Sequence, residues 1–268
     1  YDIEDYAIVV SNVQSLVKHI DKIAKEFGTV IVDECHHIPA TTFTNITDKL
    51  HARYRIGLSG TMIRKDGKHI LFPDYFGTVV HQPPPSDTMT PVVKIINTGI
   101  TLDPKLGWAD KITKLTQDDE YICFVSNVAK TQMLKGHSVL IIADRVEFLE
   151  KVNEQIGEKC VLVTGSTSKE ERDTAKEQLL SGEKMCVAGS RQIFSEGISI
   201  NILSCVILAI PISNDSLLEQ IIGRVMRQHD NKLPPLVIDM NFAGWSDKKQ
   251  NNDRLGLYLR KGWDIQTV

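Results

Sequence analysis

The 268 residues carry a net charge of −3, with 42% hydrophobic and 24% charged side chains. That is the balance of an ordinary soluble globular chain long enough for two domains, and it leaves no global basic field to attract nucleic acid. The five cysteines are widely spaced, with no C-x-x-C pair and no apolar run of bilayer length, which argues against a disulfide framework, a zinc site or a membrane span and fits a reducing cytoplasm, bacterial or phage-infected.

In chain order, Ala7–Val10 is a short apolar strand candidate. Val13, Leu16, Val17, Ile20, Ile23, Ala24 and Phe27 then recur at helical spacing, with Gly28 placed as a stop. Thr29–Val32 reads as a buried parallel strand ending in Asp33-Glu34-Cys35-His36. A helix is expected from Thr42 to Leu50, and a strand over Tyr54–Ser59 that ends in Ser59-Gly60-Thr61. Strands alternating with helices imply right-handed parallel crossovers.

The composition changes at His81-Gln82-Pro83-Pro84-Pro85, where proline withholds the donor a central strand needs. Residues 83–91 are therefore expected to link a first domain, residues 1–82, to a second over residues 92–241. That second domain is expected to begin with a strand at Val92–Ile96 and a weakly amphipathic helix over Asp118–Lys135. Strands follow at Ser138–Ala143, Val161–Val163, Met185–Ala188, Val206–Leu208 and Leu236–Ile238. Helices are expected over Arg145–Ile156, from the capping box Ser168-x-x-Glu171 to about Leu180, and over Ser216–Arg227. Residues 242–268 read as a polar tail with at most a short helix. The fold class is α/β with two parallel-sheet domains.

Three stretches carry chemistry. An acidic pair at the mouth of a parallel strand suits a Mg²⁺-holding acid, Asp33, and a water-orienting acid, Glu34. His36 lies close enough to point back across that site. Ser59 and Thr61 put two hydroxyls on a tight turn, and Arg64 follows where it can meet a phosphate or simply water. In Gln220-Ile221-Ile222-Gly223-Arg224-Val225-Met226-Arg227, helical spacing places Gln220, Gly223, Arg224 and Arg227 on one face. Gly223 costs a helix interior about 1 kcal/mol, so a close approach is expected there. The arginines suit a γ-phosphate; a solvated basic face is the alternative.

Asp-Glu-Cys-His, Ser-Gly-Thr, Phe194-Ser195-Glu196-Gly197-Ile198-Ser199-Ile200 and Gln-x-x-Gly-Arg-x-x-Arg occur in the order of superfamily 2 helicase motifs II, III, V and VI. The chain resembles the XPB/UvsW-like branch of DExH helicases over roughly residues 7–241. The resemblance implies two RecA-like domains with ATP between them, Asp33 and Glu34 as Walker B, and His36 and Gln220 coupling closure to hydrolysis. It further implies that Arg224 and Arg227 reach the phosphates, that Gly197 lies beside the nucleotide, and that Ser199 stands where relatives often carry a ribose-contacting Asp. Gly165, Ser166 and Ser190 match positions near a nucleic-acid backbone. DNA, branched or forked and read without sequence preference, is the implied partner, with RNA open. Repair or recombination is the implied setting.

No G-x-x-x-x-G-K-[ST] occurs in the 268 residues, and the chain opens on Tyr1 without Met. It is thus expected to be a fragment that begins inside the first motor domain and that neither binds ATP tightly nor hydrolyses it by itself. A duplex translocase of restriction or remodelling type, and a binding module without hydrolysis, are the other readings.

Overall fold

The periodic apolar runs form strands and helices near the expected bounds in a computed structural model, which describes residues 6–35, 40–59, 72–78, 81, 88–191 and 200–268. The chain divides into two compact units, Tyr1–Pro84 and Pro85–Val268.

In the first unit, α1 (Val13–Ile23) is capped by Asn12, whose side chain accepts the Ser15 N–H at 2.7 Å. Its Ile20 and Ile23 pack with Ile46 and Leu50, the former on α2 (Ala40–Thr47). β1 (Thr29–Val32) runs parallel to β2 (Tyr54–Gly57), with Thr29 opposite Tyr54 and Val32 opposite Gly57. The short α3 (Phe72–Phe76) follows. β1 is not the buried strand expected. It alternates exposed and half-buried, and Ile31 is 61% exposed. Val30 joins the α1–α2 cluster while its neighbours point the other way, the period of a sheet covered on one face.

The second unit holds a seven-stranded sheet in the order β5-β6-β4-β7-β8-β3-β9, every pairing parallel. The strands are β3 (Val92–Thr101), β4 (Val139–Ala143), β5 (Cys160–Val163), β6 (Cys186–Ser190), β7 (Cys205–Leu208), β8 (Leu236–Ala243) and β9 (Asp264–Thr267). Helices α4 (Trp108–Thr116), α5 (Asp119–Leu134) and α6 (Val146–Ile156) cover one face. The other face lies under α7 (Lys169–Leu180), α8 (Asp215–Met226) and α9 (Trp245–Arg260). β4 shows why the run Val-Leu-Ile-Ile-Ala reads as continuous: Val139, Ile141 and Ala143 enter the first layer, Leu140 and Ile142 the second, and all five are fully buried. The capping box opens α7 as its sequence requires, with Ser168 Oγ accepting the Glu171 N–H at 3.2 Å and Glu171 Oε2 accepting the Ser168 N–H at 2.7 Å.

Several expectations need correction. Ala7–Val10 forms no strand, and Ile8 and Val10 lie 81% and 92% exposed, with no partner strand for them among the described residues. α1 ends at Ile23, so Gly28 is not its stop; its carbonyl instead accepts the Tyr54 N–H ahead of β1. α4 went unread because its first residue, Trp108, is exposed, its cap is Gly107 without a side-chain bond, and only Ile112 and Leu115 mark its apolar stripe.

The supposed tail is part of the second sheet. α9 runs for 16 residues and β9 pairs with β3. The tie is ionic: buried Arg254 on α9 donates through Nε to both carboxylate oxygens of buried Asp239 on β8, at 3.0 and 2.8 Å, and Tyr258 donates to the same carboxylate at 3.0 Å. At the other end of the unit, the last part of the expected linker, from Thr88, is tied to the end of α8. Thr88 forms an antiparallel bridge with Arg227, and the Met89 N–H donates to the Met226 carbonyl at 2.8 Å.

Candidate functional site

The acidic pair sits in a pinned turn. The Leu58 N–H donates to the Val32 carbonyl at 2.8 Å and the Cys35 N–H returns to the Leu58 carbonyl at 3.0 Å, so the chain after β1 stays locked to the chain after β2. Cys35 is 2% exposed and anchors the turn from below. Within it, Glu34 holds φ at +45°, a left-handed conformation that a side chain normally avoids. Backbone strain of this kind persists where the surroundings enforce it, and it collects at functional sites. The Asp33 carboxylate accepts the Glu34 N–H through Oδ1 at 2.9 Å. Asp33 is exposed and Glu34 half-buried, and Ser59, half-buried, follows β2 beside them. His36, Thr61 and Arg64 lie outside the described residues.

In the second unit, three adjacent strands, β5, β6 and β4, end at one edge of the sheet. This carboxyl edge is where parallel α/β sheets receive ligands. After β5, the Thr164 hydroxyl meets that of Ser166 at 2.9 Å, and the Thr167 hydroxyl accepts the Thr164 N–H at 2.9 Å. A Cβ added at Gly165 would meet nothing within 4 Å, so the loop is open on that side. Ser190 closes β6 opposite Ala143 of β4. The three positions Gly165, Ser166 and Ser190 therefore follow or end neighbouring strands at one edge of the sheet. Sequence reasoning passed over the ion pair beside them, Asp144 with Arg191; its signal was a strand ending in Ala-Asp-Arg.

α8 begins at the cap of Asn214, which accepts the Leu217 N–H at 3.3 Å, and buries Leu218, Ile221, Ile222 and Val225. Gln220, Gly223 and Arg224 are half-buried on the other flank. Burial lowers the Arg224 pKa, and the neighbouring Arg227 charge lowers it further. Arg227 does not share this helical face. The helix ends at Met226, and Arg227 turns out of it with φ −63° and ψ 138°. Its carbonyl accepts the Lys232 ammonium at 2.6 Å. The Lys232 pKa is pushed down to about 8 by burial first and by Arg227 second. Gly223 shows no close approach either, because an added Cβ there meets open space. Gly197 and Ser199 lie outside the described residues. Among the described residues, no group of three or more His, Cys, Asp or Glu side chains forms a metal cluster, and no helix is long and apolar enough to cross a membrane.

Residues 2–64 match the family model described as type III restriction enzyme, res subunit, and residues 119–229 match helicase conserved C-terminal domain. Over 269 residues the chain is 39% identical to a protein of Escherichia phage T5 named Probable helicase D10, which covers 98% of this chain and 60% of that relative. It is 25% identical over 280 residues to the ATP-dependent DNA helicase uvsW of Enterobacteria phage T4, covering 95% of this chain and 54% of the other. The crystal structure of T4 UvsW superposes with a TM-score of 0.54 at 22% identity, over 99% of this chain and 58% of that one, a likeness of RecA-like fold. The chain thus spans between half and two thirds of the length of these relatives.

An α/β chain with an acidic pair after one parallel strand and a Gln-x-x-Gly-Arg-x-x-Arg helix beyond a second parallel sheet is similar to the superfamily 2 helicases, and its two family matches and its phage relatives support that likeness. Its relatives include phage helicases, among them UvsW of phage T4.

Proposed function

We propose that this chain is the part of an ATP-dependent DNA helicase or translocase that supplies the hydrolytic acids, the phosphate-facing arginines and a backbone grip on DNA. The observation that carries this reading is the pinned turn at Asp33-Glu34, where the strained residue is the one the chemistry requires as base.

The roles proposed here follow from residue type and motif position. Glu34 orients a water and takes its proton. Asp33 keeps Oδ1 on the Glu34 N–H, and Oδ2 takes no hydrogen bond from the described residues, so one oxygen remains for Mg²⁺ or its water. Magnesium bound with a nucleotide needs only one or two carboxylates, because phosphates and waters complete its shell, and this donor set fits it. When bound, the ion would neutralise charge on the phosphates. Arg224 and Arg227 stabilise phosphate charge, a contribution of about 10³–10⁵ in rate for arginines so used. His36 and Gln220 link nucleotide state to motion, and Gly197 and Ser199 lie along the nucleotide.

DNA lies against hydroxyls and amides, with Gly165, Ser166 and Ser190 in the second unit and Ser59, Thr61 and Arg64 in the first. Contacts of this kind grip any sequence and weaken with salt. Branched or forked DNA is the proposed substrate.

Joined to a segment that supplies a phosphate loop, the chain is expected to hydrolyse ATP faster when DNA is added. Glu34→Gln should abolish that turnover while nucleotide binding persists; phosphate release unchanged by the substitution refutes the assignment. The family description matched by residues 2–64 favours a second reading, a restriction-type motor that moves along duplex without parting it. ATP-driven displacement of a third strand without separation of a forked duplex would select it.

A further inference from the structure

At the edge shared by β5, β6 and β4, one ion pair has no role in the chemistry assigned so far. Arg191 directly follows β6, and its Nη2 lies 2.8 Å from Oδ2 of Asp144, which directly follows β4. Ser190 and Ala143 are register partners on these adjacent strands, so the pair extends the ladder by one rung through side chains. Burial raises the Asp144 pKa, and Arg191 and Arg145 pull it back down.

The neighbouring guanidinium is committed elsewhere. Arg145 turns its fork to the Ala109 carbonyl at 3.2 Å and the Thr113 hydroxyl at 3.1 Å, both on α4. Among the described residues, Arg191 is not so committed. A guanidinium carries five N–H donors in a planar fork, and Asp144 is the acceptor it meets among the described residues. Its side chain is 34% exposed, on the edge that also presents the Ser190 and Ser166 hydroxyls. An ion pair at such exposure contributes little to stability. A fork held at one nitrogen by a carboxylate, with its other donors not taken by the described residues, is instead pre-organised for a second planar or tetrahedral oxyanion.

We propose that Arg191 contacts the phosphodiester backbone of a nucleic-acid strand crossing this edge, and that Asp144 is the positioning residue that aims its guanidinium. The assignment rests on the nucleic-acid reading above and adds to it a residue and its orienting partner.

The test is anisotropy of a labelled oligothymidylate titrated with the whole chain over a range of salt. Neutralising one single-strand phosphate contributes about 0.7 to the slope of log affinity against log salt. Arg191→Ala should weaken binding severalfold at low salt and flatten the slope by about that amount, and Arg191→Lys should keep the slope. Asp144→Asn should weaken binding when Arg191 is present and have no effect in an Arg191→Ala background. A merely structural pair would not move the salt slope, and urea unfolding of each variant checks that the fold persists. Wild-type affinity and slope in Arg191→Ala overturn the proposal while leaving the helicase reading standing. No binding of the oligonucleotide by the wild-type chain overturns the nucleic-acid grip itself, and this assignment with it.

Discussion

Arg254→Met isolates the interaction that joins α9 to the second sheet. The substitution keeps much of the side-chain volume and removes every donor. Asp239, 2% exposed, then loses both Nε bonds and keeps one from Tyr258. The carbonyl of Met240 and the side-chain oxygens of Asn241 and Asn251 lose Nη2, which lies 3.3, 3.4 and 3.0 Å from them. Removing one partner of a buried pair costs about 3–5 kcal/mol, because the other charge stays desolvated. Against a total stability of roughly 5–15 kcal/mol this is a large fraction. For a unit of this size it corresponds to a fall of roughly 6–20 °C in Tm. Trp263 stacks on Tyr258 with ring centroids 5.8 Å apart, so it contributes a signal from this site to tryptophan fluorescence during urea unfolding, alongside Trp108 and Trp245. The double variant Asp239→Leu/Arg254→Met should recover most of the loss, since replacing both charges by apolar groups is often nearly neutral. A single variant that loses less than about 1 kcal/mol, or a double variant as unstable as the single, refutes the reasoning.

Two further variants test α8 and its end. Lys232 has a folded-state pKa of about 8 against an ordinary 10.5, so the unfolded chain binds more protons between those values and stability should rise with pH across that window. The penalty on the charged form is complete below about pH 8. Lys232→Met should remove the rise, and identical slopes of urea midpoint against pH in the two proteins contradict the assignment. Gly223→Ala places a methyl in open space inside a helix and should raise stability by up to about 1 kcal/mol. In the phosphate-loop-bearing protein it should also slow ATP turnover if a phosphate approaches that backbone. Undiminished turnover would leave the glycine without a catalytic reason.

The parallel architecture was legible because both faces of the second sheet are covered, which turns β4 and β7 into unbroken apolar runs that no loop resembles. The capping box at Ser168 and Glu171 carried its own geometry in four residues. What failed to show has a common cause. α9 is held by a buried arginine, and a charged residue reads as solvent-facing whatever it meets in the fold. β9, Asp264-Ile265-Gln266-Thr267, is an edge strand with one half-buried position, too polar to stand out. At the site, the acids and the arginines were readable as residue types. The left-handed turn at Glu34 and the departure of Arg227 from its helix were not, because both depend on backbone bonds to distant segments: Leu58 in one case, Thr88 and Met89 in the other.

The pairing of β9 with β3 joins opposite ends of the second unit, with Val92 beside Asp264 and the Val268 N–H bonded to the Ile95 carbonyl at 2.9 Å. Contacts so remote along the chain form late, since a long loop must close before they return any stabilisation. During synthesis, the strand that opens the unit therefore waits with one flank bare until residues 264–268 have cleared the ribosome. Over that interval its unpaired amides are open to strand exchange with another nascent chain.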